Sequence, residues 1–126
     1  MRWMFVAALM MSGCMPYGDL PTLEAKKPVV VFEGPGDFAG AARCVHGEIP
    51  VDYVLQPVRL RERRTESTVT SGGPMGPYGM QFFWQVRATG SSPARIEVRS
   101  NAPVFGDVFA DKAVYDAIAA CGFTKR

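Results

Sequence analysis

Met80-Gln81-Phe82-Phe83-Trp84-Gln85-Val86-Arg87-Ala88 is the stretch on which the fold turns. In an extended chain successive side chains point to opposite faces. Met80, Phe82, Trp84, Val86 and Ala88 would then share one apolar face, leaving Gln81, Phe83, Gln85 and Arg87 on the other. Thr89-Gly90-Ser91-Ser92-Pro93 reads as a turn, after which Ala94, Ile96 and Val98 alternate with Arg95, Glu97 and Arg99. Two such strands make a hairpin with one oily face, and that face needs a cover.

The C-terminal segment supplies one. Val114, Ala117, Ile118 and Cys121 fall at i, i+3, i+4 and i+7, Asp107 or Asp111 can cap the start, and Gly122 stands where a helix end favours glycine. Earlier, Asp37 reads as an N-cap, and Phe38, Ala41, Ala42 and Val45 recur at helical spacing up to Gly47. Pro50 and Pro57 make Ile49 to Leu60 a loop that turns into a strand around Val58 and Leu60. Val29-Val30-Val31-Phe32 is either a brief edge strand or only the arriving chain. The expected fold is α+β: a small antiparallel sheet of about three strands, with two helices packed on one face and bridged by a disulfide.

A length of 126 residues leaves room for a single domain. With 48% hydrophobic and 21% charged residues, the composition is that of an ordinary globular chain. Net charge is only +2 and the basic residues are interleaved with acidic ones, which argues against a nucleic-acid partner.

At the N-terminus, Met1 and Arg2 precede nine uncharged residues, Trp3 to Met11, and then Ser12-Gly13-Cys14. A helix of nine residues reaches only about half of a hydrocarbon core of about 30 Å. Met11-Ser12-Gly13-Cys14 resembles the lipobox of bacterial lipoproteins, with Met11 where leucine is commonest and a single arginine as the positive region. The resemblance implies a signal peptide over 1–13 and a lipidated N-terminal Cys14. The alternatives are an ordinary cleaved secretory signal and a buried N-terminal helix. The order of apolar stretch, small pair and cysteine favours the lipobox. In such lipoproteins an aspartate after the cysteine commonly retains the protein at the inner membrane. Met15 in that position implies the outer membrane, facing the periplasm. Residues 14–28, with three prolines after the cysteine, read as an extended tether, and 29–126 as the domain.

With Cys14 spent on lipid, Cys44 and Cys121 are an even pair in an oxidising compartment, and a disulfide is the simplest reading. A redox or metal pair would want close spacing or further ligands, and His46, two residues after Cys44, would point to another helix face. A cysteine in an early helix and another near the end is also a pattern similar to that of many small bacterial lipoproteins; it implies no activity.

No serine elbow, carboxylate pair, metal triad or phosphate loop stands out, and no cofactor or metal is implied. Candidate contacts are therefore surfaces. Arg59, Arg61, Arg63 and Arg64, broken by Glu62 and Glu66, are the densest charge cluster: either a dock for an anionic partner or a solvated strand end whose glutamates cut the local field. Ser71 to Gly79 reads as a long loop offering Met75 and Tyr78, either for a partner or as a plain connection. Phe83, on the polar face of its strand, is a further candidate. These features lead to the expectation of a lipid-anchored, non-catalytic module that binds another envelope protein. The alternative is a binder of a small ligand or cell-wall fragment in a groove near Trp84 and Tyr115.

Overall fold

The computed structural model describes residues 19–49, 58–74, 77, 79–101 and 107–126, the side chains of 107–111 excepted. In chain order the elements are α1 (Leu20–Ala25), β1 (Val30–Gly34), α2 (Phe38–Glu48), β2 (Val58–Glu62), β3 (Glu66–Pro74), β4 (Met80–Thr89), β5 (Ala94–Ser100), α3 (Asp107–Ala120) and β6 (Thr124–Lys125). The strands form one sheet of order β2-β3-β4-β5-β1-β6, every neighbouring pair antiparallel. The expected sheet of about three strands with two helices is therefore corrected to a sheet of six strands with three helices among the described residues.

The register explains the layering. Leu60 lies opposite Val69, Val69 opposite Val86, Val86 opposite Val98, and Val98 opposite Val30, so one apolar row crosses five strands. Helices α2 and α3 pack on this inner face. Ala41, Ala42 and Val45 of α2, with Val114, Ala117 and Ile118 of α3, are buried in one cluster with Phe32, Val69, Trp84, Val86, Ile96 and Val98. Asp37 caps α2 by accepting the Gly40 N–H at 2.9 Å. Gly122 ends α3 at φ +87°, where a side chain would be strained, and lets the Phe123 N–H turn back to the Ile118 carbonyl at 3.3 Å. Cys44 and Cys121 join the two helices in a disulfide across a sequence separation of 77 residues.

Three sequence expectations change. First, β1 is flanked on both sides, by β5 and by the two-residue β6, so it is neither an edge strand nor merely the arriving chain. Second, Ser71–Pro74 belong to β3 rather than to a loop; Gly72 and Gly73 lack side chains but keep ladder partners in Phe82 and Gln81. Third, the segment read as an extended tether contains α1, which lies on the outer face of the sheet, opposite the other two helices. Pro21 stands in its first turn, and Asp19 caps it by accepting the Thr22 N–H at 2.9 Å. The Thr22 hydroxyl, followed by that N–H, holds the Asp19 carboxyl below the usual carboxylate range. Leu23 is fully buried under α1, and Arg99 Nε donates to the Lys26 carbonyl at 2.7 Å, fixing the far end.

Leu23→Ala should lower stability by about 2–3 kcal/mol, toward the low end for a buried leucine because a one-and-a-half-turn helix can settle into the gap. An unchanged urea midpoint would show that α1 is not docked. The double substitution Cys44→Ala/Cys121→Ala should cost up to about 4 kcal/mol in the same assay, as expected for opening a loop of this length in the unfolded chain.

Candidate functional site

The outer face carries an open groove of about 140 Å³. Arg59 and Arg61 of β2, Arg63 beyond its end, Glu66, Thr68 and Thr70 of β3, Phe82 and Gln85 of β4, and Leu20 and Glu24 of α1 line it. Alternation along β2 builds the basic wall. Val58 and Leu60 turn toward the core, so Arg59 and Arg61 stand side by side on the outer face, both exposed. Across the ladder, Arg59 pairs with Thr70 and Arg61 with Thr68, which sets a threonine beside each arginine.

Of the two glutamates that the sequence interleaves with this cluster, Glu62 leaves the outer face and Glu66 stays in the groove. Glu62 follows Leu60 onto the inner side of the sheet and pairs there with Arg43 of α2. That hydrogen bond and charge hold the Glu62 carboxyl below its ordinary range, and raise the Arg43 guanidinium. Glu66 Oε2 lies 3.3 Å from Arg87 Nε, an ion pair without a directed hydrogen bond, while Arg63 Nη1 is 3.9 Å from Glu66 Oε1. Glu24 is shared between Arg87 Nη2 at 3.8 Å and Gln85 Nε2, which donates at 3.4 Å. Arg59 and Arg61 have no carboxylate partner among the described residues. No ion pair joins Glu62 or Glu66 to Arg59 or Arg61 among the described residues: the strand period sends Glu62 to the opposite face, while Glu66 stays in the groove beside Arg63 and Arg87.

The apolar floor comes from an irregularity in β4. Ser71 pairs with Trp84 but Gly72 pairs with Phe82, so Phe83 is the extra residue of a bulge. Both Phe83 and Trp84 turn to the core, and Phe82 swings to the outer face. Sequence alternation assigned the opposite faces to Phe82 and Phe83; one inserted residue reverses the period. Gly72 permits the arrangement, because a Cβ there would meet Phe82 Cδ1 at 2.5 Å and the Gln81 carbonyl oxygen at 2.6 Å. Met80, two residues before Phe82 and on the same face, is 46% exposed.

Of the other candidates, Arg64 lies exposed in the β2–β3 turn, which the Arg63 N–H closes onto the Glu66 carbonyl at 2.9 Å. Cys14, Met75 and Tyr78 lie outside the described residues. Trp84 is 2% exposed and belongs to the core cluster, against which the partly buried Tyr115 packs, its ring centroid 5.8 Å from that of Phe32. The sulfurs of Cys44 and Cys121 are both committed to the disulfide. Glu24, Thr68, Thr70, Phe82 and Leu20 went unrecognised as groove residues in the sequence, since the face each occupies depends on the bulge and on α1.

Comparison of the chain with protein-family models, curated proteins and solved structures finds no match.

Gly72→Ala should destabilise the domain by about 1–3 kcal/mol through overpacking against backbone and ring. It should also shift the Phe82 ring resonances in an NMR spectrum. A variant with native stability and an unmoved Phe82 would contradict the close approach at the bulge.

Proposed function

We propose that this chain is a lipid-anchored interaction module of a bacterial envelope, held by Cys14 at the periplasmic face of the outer membrane, with the arginine-lined groove as its working surface. The observation that carries the reading is the pair Arg59 and Arg61: two exposed like charges on one strand face, with no carboxylate against them among the described residues. Like charges set side by side oppose folding slightly, and an anion seated between them reverses the sign. Thr68 and Thr70 add hydroxyl donors on the basic side, and Leu20 and Phe82 add apolar surface opposite. The groove therefore suits a group with an anionic head and an apolar body, and the module works by binding, without a chemical step. The sequence supports the anchor through the lipobox-like Met11-Ser12-Gly13-Cys14. Among the described residues no helix is long and apolar enough to cross a membrane.

Two measurements test the reading separately. The intact mass of membrane-extracted protein should show acylation at Cys14, and Cys14→Ser should release the chain from the membrane fraction; a variant that stays bound at the same processed size would refute the anchor. In a thermal-shift series with amphipathic anions such as alkyl phosphates, the wild-type domain should gain stability and Arg59→Ser/Arg61→Ser should not. Equal shifts for both proteins would refute the groove.

A further inference from the structure

The groove and the expected anchor are close along the chain. Leu20, at the start of α1, is itself a groove residue, and six peptide steps separate it from Cys14. At no more than about 3.6 Å per residue, those steps span at most about 22 Å, whatever path they take. We infer that the outer face of the sheet rests on the leaflet holding the chain's own anchor, with Arg59 and Arg61 seated against phospholipid phosphates and Met80 and Phe82 turned toward the headgroup layer. This inference rests on the anchor reading for its geometry.

Three observations favour a membrane surface as the occupant. The chain enters the fold at the groove, so in an anchored molecule the groove's Leu20 stays within about 22 Å of Cys14. The charges are complementary: Arg59 and Arg61 stand exposed with no ion pair among the described residues, while Glu66 is shared by Arg63 and Arg87 and Glu24 lies against Arg87. Apolar groups lie on the same face, Phe82 in the groove and Met80, at 46% exposure, two residues away along β4, and an interface of phosphates over acyl chains accommodates that combination. The opposite face of the sheet is covered by α2 and α3.

The test uses the chain from residue 14 with Cys14→Ser, which keeps every described element, sedimented with large vesicles of equal parts phosphatidylglycerol and phosphatidylcholine at low salt. Retention should exceed that on pure phosphatidylcholine. It should fall about fivefold in Arg59→Ser and about 25-fold in Arg59→Ser/Arg61→Ser, from the usual worth of a basic residue at an anionic surface. Arg59→Lys/Arg61→Lys, which keeps the charge, should retain most of the binding. Lys112→Ser, which removes one exposed charge from α3, should change little. Glycerol phosphate at matched phosphate concentration should not displace the protein, since it offers no interface for Met80 and Phe82. Equal retention on neutral vesicles, an equal loss in Lys112→Ser, or displacement by glycerol phosphate would each overturn the inference. An unmodified Cys14 in the intact mass would instead remove the anchor and its tether argument, and leave the vesicle result standing by itself.

Discussion

Leu60, Val69, Val86, Val98 and Val30 stand side by side across five strands, and the burial of this row is the constraint from which the other placements follow. Val69, Val86 and Val98 are fully buried, each worth about 1.5–3 kcal/mol relative to exposure, so the row alone outweighs any surface charge arrangement. Because the side-chain period of a strand is two, fixing that row fixes its neighbours on the other face. Arg61, Thr68, Arg87 and Glu97 become one outer row, and Arg59, Thr70, Gln85 and Arg99 another. Slipping one strand by a single residue would put valines in water and arginines under α2. The polar face is thus specified by the apolar one, and its charge pattern is as rigid as the core behind it.

Two helices and a disulfide close the inner side, and the outer side is only half closed. Helix α1 covers the part of the sheet over β4 and β5, where Leu23 is buried and Arg99 holds the Lys26 carbonyl. Beyond its edge, over β2 and β3, the outer rows remain open, and that step in coverage is the groove. The bulge at Phe83 deepens the contrast. It gives the core a second aromatic ring beside Trp84, and it gives the groove the Phe82 floor that strict alternation would have sent inward.

The parts of the fold that were legible in the sequence are those with an apolar period long enough to count. The β4–β5 hairpin, the capped helix from Phe38 and the helix carrying Val114, Ala117 and Ile118 are such cases, and the Cys44–Cys121 bridge joins the latter two. Strand β3 was not legible. Its core-facing positions are Ser67, Val69 and Ser71, so a single apolar residue marks its inner face while two buried serines disguise it. Only the threonines, which favour extended backbone, signal it. Helix α1 has one fully buried side chain, Leu23, which makes no period at all; its marks are an aspartate cap and a proline in the first turn. Without these two elements the groove has neither its hydroxyl-bearing wall nor its rim, which is why the arginines were visible as a cluster and the site around them was not.

A chain of net charge +2 has no field to speak of when its charges are counted as a sum. The ion pairs divide that sum unevenly. Glu62 is bound to Arg43 on the inner side, Glu24 and Glu66 lie against Arg87, and Glu97 is held by Arg99 at 2.7 Å. Arg59 and Arg61 are left over on one strand face, their Cα atoms about 7 Å apart and so within a Debye length at physiological salt. Binding at such a pair gains from geometry rather than from net charge. A strand holds the Cα atoms of the two arginines two residue steps apart on a backbone that a buried row of valines keeps in register, and a solvated run of the same residues in a loop would lack this pre-organisation.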